Sequence, residues 1–197
     1  MVTRSPQTLS ETERHVLAAW AADCAERVLE IFETEVPGDE RPRALIARAR
    51  SFARGELNTG EEIRNRFAGG VGAADLVKRP AAAAAARAAG QAVAVCHMGA
   101  HALGAAAYAA RAAGLAHPEY LDAVAAEIRW QLDHMSPEVR AALRALPPVG
   151  ENASGPLGPG LLASGELGAI IRALQAAIAD TESLRRRTNG TDSSRTA

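Results

Sequence analysis

His97, His101 and Tyr108 recur at helical intervals inside an alanine-rich stretch. Imidazole titrates near neutrality and exchanges protons readily, and a phenol can donate to a developing oxyanion. The trio therefore suits acid–base work on a small organic substrate. The spacing predicts one helix face shared by Gly90, Ala94, His97, His101, Ala105 and Tyr108, lined with residues small enough for a second helix to approach closely. Four residues apart, His97 and His101 could also meet one metal ion, with Asp23, Glu26 or His134 as a third ligand. Met98 occupies the position where a metalloprotease helix would carry its glutamate. Histidines hydrogen-bonded inside a bundle, or lining a partner-facing groove, are the simpler expectations, and no metal or cofactor is assigned.

The charged residues offer a second constellation. Asp23 and Arg27 attract at i, i+4, whereas Glu26 and Glu30 repel. Arg41, Arg43 and Arg50 come next, on the second helical segment. An acidic first helix beside a basic second one predicts ion pairs flanking the turn Val36–Asp39. Asp23, Glu26, Arg41 and Arg43 are the candidate binding residues of this seam. The cysteines are weaker candidates. Cys24 lies on an apolar stripe, where thiols are usually inert. Cys96 adjoins His97, but neighbours on a helix point about 100° apart. No phosphate loop, dinucleotide fingerprint or serine triad order is present.

Helices must position these groups, because no apolar–polar alternation of the strand kind occurs. Ser10-Glu-Thr-Glu13 reads as a capping box opening a helix to about Thr34, with Leu17, Trp20, Ala21, Cys24, Val28, Ile31 and Phe32 as its stripe. A second helix spans about Glu40 to Arg54 and stops at Gly55. Thr59-Gly-Glu-Glu62 offers a further cap for a third helical stretch, which Gly69, Gly70 and Gly72 break or bend. From Pro80 to Ala113 the chain forms one long helix or two. Pro118 and Pro137 open helices to Asp133 and Leu146, the latter capped by Ser136. The expected architecture is all-α, a bundle of six or seven helices over residues 10–148. A mobile Gly/Pro linker is expected at 149–163, then a terminal helix at 164–187 and a disordered tail at 188–197.

Composition narrows the function. The 197 residues carry a formal net charge of −1, which argues against a nucleic-acid binder held by a basic face. Aromatics make up 4%, too few for a base-stacking platform or a large aromatic cofactor pocket. Two cysteines build no disulfide scaffold, the first ten residues lack an apolar signal stretch, and no run of about 20 large apolar residues spans a membrane. A cytoplasmic location is the default.

The segments Trp20-Ala-Ala-Asp-Cys-Ala-Glu-Arg-Val-Leu-Glu-Ile-Phe-Glu33, Asp39-Glu-Arg-Pro-Arg43 and Ala49-Arg-Ser-Phe-Ala-Arg-Gly55 resemble the Imm-5-like family of bacterial immunity proteins. Ala88 to Tyr108 fits the same pattern, as do Ile128-Arg-Trp-Gln131 and Ser136-Pro-Glu-Val-Arg140. The resemblance covers Ser10 to Pro148. Asp23, Glu26, Arg41, Arg43, His97, His101 and Tyr108 stand at matching positions; the extension after Gly150 departs from the pattern. It implies an all-helical binding protein that neutralises a cognate toxin without turnover. Some members carry an exonuclease label, but no carboxylate–metal motif here supports one. The alternative is an enzyme of a secondary-metabolite pathway, using His97, His101 and Tyr108 in an inter-helical cleft on a small-molecule substrate.

Overall fold

The computed structural model describes residues 5–57, 72–75 and 77–192, and among them every regular element is helical. The helices are α1 (Glu11–Glu26), α2 (Leu29–Glu35), α3 (Arg41–Ala53), α4 (Pro80–Ala94), α5 (His101–Leu115), α6 (Tyr120–Asp133), α7 (Pro137–Arg144) and α8 (Gly165–Asp192). Seven of these precede Pro148, where six or seven are expected, although the periodicity predicts α1 and α2 as one helix. The helix expected to open at Thr59–Glu62 lies outside the described residues.

Local chemistry sets several boundaries. The Ser10 hydroxyl accepts the Glu13 N–H at 3.2 Å while the Glu13 carboxylate accepts the Ser10 N–H at 2.8 Å, completing the capping box. Pro42 occupies the first turn of α3, and Gly55 beyond its end has φ +74°, the left-handed turn that glycine adopts freely. Ser136 accepts the Val139 N–H at 3.2 Å and caps α7.

Two boundaries differ from expectation. The helix predicted from Ser10 to Thr34 breaks at Arg27–Val28, giving α1 and α2. The alanine-rich segment, for which the sequence allows one helix or two, is two helices, with residues 95–100 forming the turn between α4 and α5. That turn is set by distant partners. The Gly99 and Ala100 N–H groups donate to the carbonyls of Thr8 and Gln7, and the buried Arg14 guanidinium donates to the Cys96 carbonyl at 3.0 Å. Pro118 stands before α6 rather than in its first turn, since α6 begins at Tyr120.

Helix α5 is the axis of the molecule, packed by α1, α4, α6 and α8. Its residues Ala102 to Ala110 are all buried. Alanine and glycine bury little surface each, so the core depends on close helix approach, supplemented by Trp20, Phe32, Phe52, Leu103 and Leu143. The pair α4–α5 packs most intimately, with Gln91 of α4 against Gly104 of α5, so the two helices fold back as a hairpin.

The Gly/Pro segment 149–163, expected as a linker, packs against the bundle. Leu157 and Leu162 are buried, and Gln7 holds both the Ser154 carbonyl and the Leu157 N–H. Gln175 of α8 accepts the Val149 N–H at 3.0 Å and donates to the Pro147 carbonyl at 3.0 Å. Leu167, Ile170, Ile171, Leu174 and Ile178 bury the inner face of α8, and Glu166 pairs with Arg111 of α5 at 2.8 Å. The terminal helix runs to Asp192, past the predicted end at 187; propagation adds one hydrogen bond per residue and no proline interrupts it. Residues 193–197 lie outside the described set.

Candidate functional site

The charged seam forms between α1–α2 and α3. Arg50 of α3 pairs with Asp23 at 2.9 Å and also with Glu26. Arg43 makes a two-pronged contact with Glu33, both N···O distances 2.7 Å. Arg41 folds onto Asp39 in the intervening turn, Nε to Oδ1 2.8 Å. Thus all four candidate binding residues Asp23, Glu26, Arg41 and Arg43 lie along one edge, each engaged by an opposite charge. Hydrogen bonding from Arg41 holds the Asp39 carboxyl below its ordinary range, and Glu33 raises the Arg43 guanidinium above its own. Exposed pairs of this sort contribute about 0–1 kcal/mol each, so the seam chiefly orders surface charge.

The histidine constellation is assembled differently from the prediction. Because α4 ends at Ala94, His97 belongs to the turn and His101 opens α5; no single helix face joins Gly90, Ala94, His97, His101, Ala105 and Tyr108. The turn nevertheless brings the two imidazoles together, with ring centroids 5.0 Å apart. His101 Nδ1 lies 2.8 Å from the Gln91 side-chain oxygen. Cys96 Sγ lies 3.9 Å from His97 Nδ1. Tyr108 lies two turns beyond His101 and is buried, which raises its phenol above the ordinary value. Asp23 and Glu26, the carboxylates expected to steady a histidine, reach Arg50 instead. Among the described residues, no group of three or more His, Cys, Asp or Glu side chains converges on a common metal position. Cys24 is fully buried, and desolvation pushes its thiol well up, which suits an inert core residue.

Several polar residues that the sequence pattern passes over are central here. On α6 the inward face carries Val124, Glu127 and Gln131. Glu127 is 4% exposed and takes both its oxygens to Arg27 Nε, at 3.1 and 3.0 Å. Gln131 is fully buried; its side-chain amide donates to the Ala106 carbonyl, and its backbone carbonyl accepts the Trp20 indole N–H at 3.1 Å. Arg27 also stands 4.0 Å over the Trp130 ring, which stacks on His134 at 4.0 Å. Polar residues at three- and four-residue spacing on the buried face of α6 are the signal that could have revealed them.

Beside Arg27 opens a groove of about 310 Å³ between α2, the start of α4 and the end of α5. Glu30, Glu35, Arg27 and Arg79 supply its charges, and Ile31, Ala82 and Ala116 its apolar wall. Glu35 Oε1 accepts the backbone N–H groups of Lys78 and Arg79 at 3.1 and 3.0 Å, capping α4 from another helix.

Residues 7–138 match the family model described as "Imm-5 like putative immunity protein", about two thirds of the chain. The chain belongs to this Imm-5-like family. No curated protein and no solved structure gives a significant match. The matched region spans α1 to the opening of α7; the rest of α7, the segment 149–163 and α8 lie outside it. Among the described residues, no helix is long and apolar enough to cross a membrane.

Proposed function

We propose that this protein is an immunity-type binding protein that neutralises a cognate protein toxin by occupying it, without turnover. Family membership is the observation that carries this reading. The charged edge supports it physically. Asp23, Glu26, Glu33, Arg41 and Arg43 are already held in ion pairs, so the edge offers a pre-ordered array of alternating charge. Pre-ordering lowers the entropic cost of association, and complementary charge steers encounter and rejects wrong partners. The decisive experiment is co-expression with each toxin encoded beside the gene, scored by survival and by co-purification. Protection by one of them supports the reading; failure against all of them rejects it.

The acid–base alternative keeps one observation in its favour. Gln91 holds His101 Nδ1, which fixes the orientation of a ring able to exchange protons. The expected carboxylate partners lie elsewhere, so His97, His101 and Tyr108 stand as the weaker proposal. Conversion of a small organic substrate that disappears in His101→Ala at unchanged melting temperature would establish it.

A further inference from the structure

We propose that the segment 149–163 is a strap that sets the orientation and tautomer of His101. Lifting it releases the ring from Gln91 and changes which nitrogen of His101, in the His97–His101 pair, can accept a proton. The strap lies outside the family match, yet two separate paths of contact join it to this histidine.

The first path runs through Leu162. Its side chain is buried against Gly104 of α5, where an added β-carbon would stand 3.0 Å from Leu162 Cδ1 and would collide with the Gln91 side-chain oxygen. Leu162 and the Gln91 amide therefore share the space that the bare Gly104 leaves. The same oxygen lies 2.8 Å from His101 Nδ1. An amide oxygen only accepts, so the ring donates through Nδ1–H and carries its lone pair on Nε2. With Leu162 in place the amide has little room to swing, and the ring keeps that tautomer.

The second path runs through Gln7. Its side chain holds the Ser154 carbonyl and the Leu157 N–H of the strap. Its backbone carbonyl accepts the N–H of Ala100, the residue before His101. Packed side chains and hydrogen bonds in an unbroken series are a physical route for such coupling. The strap is also easier to move than the helices beneath it. Its regular structure is one 3₁₀ turn, Leu161–Ala163, and Leu161 is 67% exposed beside the buried Leu162. Segments with few buried contacts open locally at lower free energy than core helices.

The inference rests on neither functional reading, and its test needs no toxin and no substrate. The full-length chain with 15N-labelled histidine reports the tautomer of each ring through long-range 1H–15N couplings, at mildly alkaline pH where imidazoles are neutral. In the parent, His101 should be the Nδ1–H form, and Gln91→Ala supplies the signature of the released ring. Leu162→Ala and Gln7→Ala should each carry His101 most of the way to that signature. Leu162→Met should keep the parent form, and Leu161→Ala should leave it unchanged. His134 on α6, whose Nδ1 meets the Trp130 carbonyl at 2.8 Å, is the internal control and should stay constant throughout. An unmoved His101 in Leu162→Ala or in Gln7→Ala would overturn the proposal. So would an equal effect of Leu161→Ala, a change at His134 as large as that at His101, or a parent His101 in the Nε2–H form.

Discussion

Gln7 and Leu157, 150 positions apart, are joined through the Gln7 side-chain oxygen and the Leu157 N–H at 2.9 Å. The same amide donates to the Ser154 carbonyl at 2.6 Å, and the Gln7 backbone carbonyl accepts the Ala100 N–H. One fully buried glutamine thus ties the Gly/Pro segment to the α4–α5 turn. Limited proteolysis of the native chain should therefore leave 150–164 intact under conditions that clip an unstructured linker. Gln7→Ala strands the Leu157 N–H without its acceptor, and should both accelerate cutting there and cost about 1–3 kcal/mol. Rapid cutting of the unmutated chain in this segment would show that the clasp is not formed in solution.

Arg27 and Arg50 test how burial of the partner changes an ion pair. Glu127 is buried, so Arg27→Ala leaves a carboxylate in the core without its cation, a change that typically costs about 3–5 kcal/mol. Arg27 is itself partly exposed, which places the expected loss at the lower end. Arg50 meets two half-exposed carboxylates, and Arg50→Ala should cost about 1 kcal/mol or less. Urea midpoints of the two variants give the comparison. Equal losses would mean that water reaches Glu127.

Ser10 and Glu13 give a pH prediction of defined sign. The Ser10 hydroxyl and backbone N–H both donate to the Glu13 carboxylate and hold its pKa below the ordinary value. A carboxyl lowered on folding stabilises the protein above its unfolded pKa, and that contribution disappears as pH falls through the lower folded value. Ser10→Ala should cost about 1 kcal/mol near neutrality. The melting-temperature gap between the two proteins should then narrow as the pH is lowered into the acid range.

What was legible in the sequence was local. Ser10, Ser136 and Gly55 mark their helix ends because each satisfies or relaxes backbone a few residues away. The seam of Asp23, Glu26, Arg43 and Arg50 was readable because a short turn forces its two helices together. The position of the α4–α5 turn was not: its glycine, Gly99, stands near its end, and Ala94-Val-Cys-His97 carries no proline or glycine. Arg14, Gln7 and Thr8 impose it from the other end of the sequence. Hence His97 and His101 do meet, but through a turn rather than through helical register. Glu127 and Gln131 were hidden for the same reason. Their partners Arg27, Trp20 and Ala106 lie 25 to 111 residues away, and a polar residue on a helix looks solvent-facing until those partners are placed.

Gly104 holds the α4–α5 hairpin at its closest approach. On helix propensity alone, Gly104→Ala should stabilise α5 by about 1 kcal/mol. A methyl group there would collide with the Gln91 side-chain oxygen and come within 3.0 Å of Leu162 Cδ1. Gln91 cannot retreat freely, because the same oxygen lies 2.8 Å from His101 Nδ1. Overpacking a closely fitted core typically costs about 1–3 kcal/mol, so the collision should outweigh the propensity gain and the variant should be less stable. The His101 ring signals in the NMR spectrum should shift as Gln91 is displaced, while Gly90→Ala, where nothing lies within 4 Å of the added carbon, should stabilise the chain. A Gly104→Ala protein as stable as the parent, with unmoved His101 resonances, would mean that the two helices stand further apart than the close Gln91–Gly104 contact requires.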